Sequence, residues 1–343
     1  MDSYTLKTGS GTCTIYFCEA FKNVSSIAGL SDCIIITDSN VYALYRSQFP
    51  DFKTIVVEPG EDSKSMRVAE SVIREMLEAG ADRSTFLLGI GGGVVCDLTG
   101  FIASVYMRGM DFGFISTTLL SQVDASIGGK NGVNLDGVKN IVGTINQPSF
   151  VICDMSVLRT LPAAEYVSGL GEIVKYALIR DTSMLGYIEE NIEGVISGDE
   201  KVMSNLVRAS VKIKVDIVSQ DEREASLRRI LNFGHTIGHA IEASLTIPHG
   251  LAVAHGMKAA AEFSLEMGMI QHEDFGRINS LLGRLGLLPV IDLKKGSVKK
   301  FIINDKKRKG SSIHFICLAA PGRAEVRITG VQELIDWLDK KGY

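Results

Sequence analysis

No stretch of the sequence approaches the ~20 consecutive apolar residues that span a bilayer, and the start, Met1-Asp-Ser-Tyr-Thr-Leu-Lys7, lacks the basic segment and apolar run of a secretory signal. A cytoplasmic protein with no membrane partner is expected. Basic residues are not in excess: 36 Lys and Arg stand against 40 Asp and Glu, a formal net charge of −4. Nucleic-acid binding relies on a surplus of cations, so no nucleic-acid partner is expected and any cationic cluster must be local. The six cysteines (Cys13, Cys18, Cys33, Cys96, Cys153, Cys317) are scattered with no CxxC pair, which argues against a disulfide framework and against a cysteine zinc site. No internal repeat or low-complexity segment occurs. Histidine is scarce as well, six in 343 residues.

Four of those histidines fall in one window, Leu231-Asn-Phe-Gly-His235-Thr-Ile-Gly-His239 followed by His249-Gly-Leu-Ala-Val-Ala-His255. His235 and His239 stand four apart, one above the other on a helix face, a spacing that suggests zinc or a similar ion. Local hydrogen bonding in a Gly-rich helix accounts for the spacing equally well.

The remainder is ordinary globular sequence, 45% hydrophobic and 22% charged, and its length favours two domains over one. Residues 1–155 alternate β-like and helical patterns, which predicts a layered α/β domain with parallel pairing. Strands are predicted at Cys33–Thr37, Thr54–Val57, Thr85–Ile90 and Phe112–Ser116, with a helix over Ser65–Ala79 stopped by Gly80. Residues 156–343 are predicted to form a mainly helical domain. Its helices are Leu170–Ile179, Val202–Val218, Ile230–Ala243 and Leu251–Met267; strands at Ile313–Leu318 and Ala324–Ile328 precede a last helix over Val331–Leu338.

Several stretches could carry chemistry. Gly89-Ile-Gly-Gly-Gly93-Val-Val-Cys-Asp97 follows a strand and opens a helix, so its backbone N–H groups could meet a pyrophosphate, although it is not the GxGxxG fingerprint and a plain tight turn is the competing account. Asp124-Ala-Ser-Ile-Gly-Gly-Lys130-Asn-Gly-Val-Asn134, with Lys139 and Asn140 after it, reads as an anion-holding loop or simply a solvated one. Glu172 and Lys175 share a face of a helix whose neighbours Leu170, Ile173, Val174, Ala177 and Leu178 are apolar, leaving little solvent face for an exposed ion pair. Arg228 and Asn232 are four apart and are expected on one face of the helix that carries His235 and His239. The run Asp305-Lys306-Lys307-Arg308 is normally a solvated turn.

Taken in order, these motifs resemble the 3-dehydroquinate synthase family, in the wider sugar phosphate cyclase group. The resemblance runs from Asp38-Ser-Asn40 through Glu61, Lys64, the triple glycine with Asp97, Tyr106-Met-Arg108-Gly, Thr117-Thr118, Asp124, Lys130, Lys139-Asn140, Glu172 with Lys175 and Asn232-Phe-Gly-His235 to Asp305-Lys306. It implies an α/β, Rossmann-like NAD-binding domain of the dehydroquinate synthase type followed by a mainly α-helical metal-binding domain. By the same resemblance NAD would contact Asp38, Asn40, Glu61, Lys64, Gly92, Gly93, Val94, Asp97, Thr117, Thr118, Leu120, Asp124, Lys139, Thr160 and Leu161. A divalent metal, zinc or else cobalt, would be held by Glu172, His235 and His249. That demotes His239 from ligand to a polar group near the ion, and two histidines plus one carboxylate would leave open positions for substrate hydroxyls.

The implied substrate is an anionic sugar phosphate, 3-deoxy-D-arabino-heptulosonate 7-phosphate. Arg108, Lys130, Asn140 and His239 are expected towards its phosphate, with Lys175, Lys214, Arg228 and Asn232 towards the ring and carboxylate, Asp124 close by, and Lys306 closing over the site. The implied net reaction is phosphate elimination with carbon-ring closure, NAD being reduced and reoxidised in each cycle, in a homodimer. Two positions depart from the family pattern: Leu251 replaces a glutamate in His249-Gly-Leu-Ala-Val, and His255 stands where an apolar residue is common. A metal-dependent alcohol or glycerol dehydrogenase shares the two-domain plan without needing Lys130, Lys139-Asn140, Lys175 and Arg228 together. Another sugar phosphate cyclase is a nearer rival, while a non-catalytic NAD-binding regulator would have no use for all three metal ligands.

Overall fold

The computed structural model describes residues 1–245, 247–292, 298, 302, 308–309 and 311–342. The chain divides into two compact units, Met1–Leu161 with Lys214–Arg223, and Pro162–Ile213 with Glu224–Tyr343. A single cut between residues 155 and 156 therefore does not describe the chain: the first unit continues to Leu161 and takes back a later segment.

The first unit is built on a seven-stranded sheet. Its strands are β1 (Asp2–Thr8), β2 (Gly11–Phe17), β3 (Cys33–Asp38), β4 (Lys53–Val57), β5 (Phe86–Gly91), β6 (Phe112–Ser116) and, after the hairpin β7 (Lys130–Leu135) and β8 (Val138–Ile145), β9 (Phe150–Cys153). They lie in the order β1-β2-β9-β6-β5-β3-β4. Only β1 and β2 pair antiparallel; the register Ile36 to Gly89, Gly89 to Phe114 and Ile115 to Ile152 is parallel throughout. Parallel strands covered on both faces need near-continuous apolar sequence, which Cys33-Ile-Ile-Ile36 and Phe112-Gly-Phe-Ile115 supply; Ile35, Leu88, Ile90, Ile115 and Ile152 form the core. Helices α1 (Ala20–Ala28), α2 (Ser39–Tyr45), α3 (Met66–Glu78) and α4 (Gly93–Val105) complete the layers. Ser65 caps α3 through Val68 N–H, and Gly80, at φ 79°, ends it as expected.

From β3 the chain runs to β4 on one side and to β5 on the other, so the carboxyl ends of β3 and β5 form a topological switch point. Open parallel sheets bind ligands there. Asp38 ends β3, and the triple glycine ends β5.

In the second unit the helices are α5 (Ala163–Arg180), α6 (Thr182–Glu190), α7 (Ile192–Ser197), the portion of α8 (Glu200–Gln220) before Lys214, α9 (His235–Leu245), α10 (His249–Glu266) and α11 (His272–Arg284). A sheet of β10 (Arg308–Lys309), β11 (Ser312–Ala320) and β12 (Arg323–Gly330) leads to a last helix, Val331–Lys341. Glycine lets α5, α9 and α10 approach backbone to backbone. A Cβ on Gly256 of α10 would lie 2.0 Å from the Gly234 carbonyl oxygen, and one on Gly250 would lie 2.1 Å from that of Ser168. Such contacts draw the three helices closer than any side chain would permit.

Two stretches depart from their sequence expectations. The helix predicted over Ile230–Ala243 is two elements, a 3-10 turn at Leu227–Asn232 and α9 from His235. Phe233 leaves helical geometry between them and Gly234 takes φ 79°, so Arg228 and Asn232 do not continue the face that carries the histidines. The loop read over Asp124–Asn134 with Lys139 and Asn140 is from Lys130 onward part of a β-hairpin, Lys130–Ile145, turned by Asp136 and Gly137 at positive φ. Lys306 and its neighbours Asp305 and Lys307 lie outside the described residues.

Candidate metal and dinucleotide sites

Residues 168–179 of α5 are all buried, so the charges it carries have no water to turn to. Glu172 is fully buried and Lys175, one turn on, is 1% exposed; the ammonium pairs with Glu172 Oε2. The other oxygen, Oε1, faces His235 Nε2 at 3.4 Å and His249 Nε2 at 3.6 Å. Ligand atoms held about 2.0–2.2 Å from a tetrahedral ion sit about 3.3–3.6 Å from one another, the spacing found here. The orientation of each ring fits too. His235 Nδ1 lies 3.2 Å from the Phe233 carbonyl and His249 Nδ1 lies 3.1 Å from Glu242 Oε2. Both acceptors call for an N–H on Nδ1, which leaves the Nε2 lone pairs converging on Glu172.

Burial pushes His249 towards its neutral form, but Glu172 and Glu242 outweigh this and raise its pKa to about 9. Without an ion this imidazole holds a proton at neutral pH, which a metal would displace. The pair first picked out by spacing behaves differently from the expectation drawn from it. His239 is exposed, its ring 5.1 Å from that of His235 and 5.8 Å from that of His249, and it forms a second possible metal-binding group with Glu242 and His249. The buried group has the carboxylate between the two imidazoles and is the better cage. Arg228, 3% exposed, and Asn232 lie on the 3-10 turn before α9, where the Asn232 amide donates to Glu224, a residue held at φ 59°. Glu242 escaped the sequence reading. The signal for it was present, since it follows His239 by three residues on α9.

In the first unit the strand-to-helix turn is as tight as its glycines imply. A Cβ on Gly91 would lie 2.5 Å from Val95 Cβ, and one on Gly92 would lie 2.8 Å from Thr118 Cγ2. Gly92 occupies the N-cap of α4 with no side chain to offer, so the first N–H groups of this 13-residue helix remain available for an anion. Asp97, one turn in, pairs with the buried Lys64. Burial raises the Asp97 pKa to about 6 against the opposing pull of Lys64. Lys214, also buried, donates to both the carboxylate and the backbone carbonyl of Asp124. Glu61 accepts from the Asn134 amide at 2.8 Å. Glu61 and Lys214 both act electrostatically on Asp97, which makes Glu61, Lys64, Asp97, Asp124 and Lys214 one charged cluster.

Other sequence candidates in this unit have structural roles of their own. Asp38 caps α2, accepting from Asn40 and Val41 N–H at 3.0 Å each. Thr117 is buried, Thr118 bonds Ser121, and Thr160 meets the Tyr45 hydroxyl at 2.5 Å. Gly93, Val94, Leu120 and Leu161 are half-buried. Arg108, Lys130, Lys139 and Asn140 are exposed; Arg108 at φ 68° and Asn140 at φ 52° are held in the left-handed region, which costs a non-glycine residue about 1–2 kcal/mol.

Family models for the N-terminal and C-terminal parts of 3-dehydroquinate synthase match residues 54–168 and 169–308. The chain belongs to the 3-dehydroquinate synthase family. A 3-dehydroquinate synthase from Thermoanaerobacter pseudethanolicus is 42% identical over 98% of this chain and 99% of its own length. Two solved structures extend the likeness in fold. A 2-deoxy-scyllo-inosose synthase complexed with carbaglucose-6-phosphate, NAD+ and Co2+ superposes with TM-score 0.89 at 24% identity, covering all of both chains. ValA, a 2-epi-5-epi-valiolone synthase from Streptomyces hygroscopicus subsp. jinggangensis with NAD+ and Zn2+ bound, gives 0.85 at 26% identity over 95% of each. Membership of the 3-dehydroquinate synthase family agrees with the resemblance drawn from the ordered motifs.

Proposed function

We propose that this chain converts 3-deoxy-D-arabino-heptulosonate 7-phosphate to 3-dehydroquinate and inorganic phosphate, as a carbon-oxygen lyase using NAD and a divalent metal. The observation that carries the reading is Glu172 Oε1 facing the Nε2 atoms of His235 and His249. Three neutral or anionic donors with no fourth side chain assigned suit an ion that keeps positions open for substrate oxygens. Bound NAD+ would accept and return a hydride, and the ion would polarise the substrate oxygens.

The chain's own residues divide the remaining work. Lys175 neutralises Glu172 Oε2, so that Oε1 is the oxygen left for the ion. Arg228, buried as a permanent cation, is matched to a carboxylate by its planar fork. Asn232 and His239 add polar contacts in the second unit. In the first unit the N-terminus of α4 would take the dinucleotide pyrophosphate and Asp97 its neighbouring groups. Lys214 and Asp124 would bind substrate there, with the cations and amides of Arg108, Lys130 and Asn140. Lys64, Lys175 and Lys214 answer Asp97, Glu172 and Asp124, so in a protein of net charge −4 it is buried Arg228, with the exposed cations Arg108, Lys130 and Lys139, that suits an anionic substrate. A dehydrogenase acting on an uncharged alcohol has no such need.

Among the described residues no helix is long and apolar enough to cross a membrane. All six cysteines are free thiols, in keeping with a reducing cytoplasm, and a homodimer is the assembly proposed. The test supplies zinc, the sugar phosphate and NAD+ at an amount far below the substrate. Phosphate and 3-dehydroquinate should appear in equal amounts with no accumulation of NADH. NADH formed in step with substrate loss would make the protein a dehydrogenase instead. A different ring product from another sugar phosphate would make it another cyclase.

A further inference from the structure

Glu242 is assigned no part in the chemistry above, yet it is the partner that fixes one of the proposed ligands. It lies on α9, which begins at His235, and His249 begins α10 after the short link through Pro248. Glu242 Oε2 stands 3.1 Å from His249 Nδ1, while the opposite nitrogen of the same ring faces Glu172 Oε1 at 3.6 Å. Both carboxylates are shielded: the Glu242 side chain is 15% exposed and that of Glu172 is buried completely.

We infer that Glu242 is a positioning residue of the metal centre, one that holds His249 by its Nδ1–H and keeps the Nε2 lone pair on the ion. The inference rests on the reading of Glu172, His235 and His249 as ligands. A carboxylate accepts and does not donate, so Nδ1 must carry the hydrogen and Nε2 is left as the ligand atom. The negative charge also makes the imidazole a stronger base towards a cation. His235 has a different arrangement for the same end, its Nδ1 meeting the Phe233 carbonyl. That acceptor is part of the backbone and cannot swing away. His249, at the first residue of a helix, has no such backbone acceptor on Nδ1, and an ionised side chain replaces it. The geometry also distinguishes two roles open to Glu242. It could join His239 and His249 as a ligand set, but the buried group with Glu172 and His235 is reached by Nε2 of the His249 ring, which leaves Nδ1 to the Glu242 carboxylate.

The experiment is a competition titration of Zn2+ against a chromophoric chelator, using wild type, Glu242→Ala, Glu242→Gln and His249→Ala, with thermal unfolding of each metal-free protein alongside. Glu242→Ala should weaken zinc binding about 10–100-fold, the usual effect of removing such a partner, while the metal-free protein still unfolds in one cooperative transition. Glu242→Gln, whose amide oxygen can still accept from Nδ1, should recover most of that loss. His249→Ala should lose the tight site. Wild-type affinity in Glu242→Ala, with the site lost in His249→Ala, would overturn the positioning role and leave the metal site standing. Tight zinc binding retained in His249→Ala would instead bring down the ligand assignment itself. A zinc-edge absorption spectrum that loses an oxygen neighbour in Glu242→Ala would make Glu242 a ligand, which also contradicts the inference.

Discussion

Lys175 and Glu172 stand one helical turn apart on α5, both buried, and the ammonium takes the carboxylate oxygen that faces away from the two imidazoles. On the proposed reading the pair is half of a charge arrangement whose other half would be a metal cation at Oε1. Removing one member of a buried pair costs about 3–5 kcal/mol, because the survivor is left uncompensated. Lys175→Met should lose turnover and lower the stability of the metal-free protein, by less than that amount because a protonated His249 still faces Glu172. Zinc should restore part of the loss. Denaturant unfolding with and without zinc measures both effects, and unchanged stability would show that the Glu172 charge is compensated elsewhere.

Backbone contact between α9 and α10 sets the separation of His235 from His249. Gly256→Ala would place a methyl 2.0 Å from the Gly234 carbonyl oxygen, and backbone cannot yield as a side chain can. The helices must part. A destabilisation above about 4 kcal/mol is expected, together with loss of the metal site in whatever protein folds. Thermal unfolding and zinc stoichiometry read the two consequences.

The dinucleotide turn can be tested apart from the metal. Gly92→Ala sets its Cβ 2.8 Å from Thr118 Cγ2, in the turn whose N–H groups are proposed to meet the pyrophosphate. NAD+ affinity should fall at least about tenfold, equivalent to about 1.4 kcal/mol, while zinc affinity stays at the wild-type value. Fluorescence titration with NADH and chelator competition with zinc provide the pair of measurements.

How much of this was legible beforehand depended on whether a residue's neighbours in sequence are also its neighbours in space. The parallel strands announced themselves because strands buried on both faces need continuous apolar runs, as in Cys33-Ile-Ile-Ile36. The glycine turn and the buried face of α5 were visible for similar local reasons. The hairpin at Lys130–Ile145 was not, because exposed Leu135, Val138, Ile141 and Ile145 alternate poorly and glycines interrupt them. The break at Phe233-Gly234 hid inside a helical periodicity that sequence spacing alone could not interrupt. Neither Glu172 nor His249 could be joined to His235 by spacing; only the resemblance connected them. Glu242 stood at helical spacing from His239, but its partner His249 lies on the next helix, so spacing could not tie it to that ligand.

A clamp at the far end of the first unit offers a pH test. Burial alone would raise the pKa of Glu222, but hydrogen bonds from Ser10, Thr8 and Gln147 outweigh it and bring it to about 2. The unfolded chain titrates near 4.3. A depressed carboxylate stabilises the fold fully above the unfolded value and loses that contribution as pH falls through the folded one. Stability should therefore drop between about pH 4 and pH 2 in the wild type, and Glu222→Gln should flatten that part of the profile. Urea unfolding at a series of pH values checks the slope; identical slopes would remove Glu222 from the account.

The most direct measurement is anomalous diffraction at the zinc edge from crystals grown with the metal. One peak per chain is predicted, about 2.0–2.2 Å from Glu172 Oε1, His235 Nε2 and His249 Nε2, with His239 outside bonding distance. A fully occupied zinc centred on His239 and Glu242, or an active enzyme with no ion beside Glu172, would contradict it.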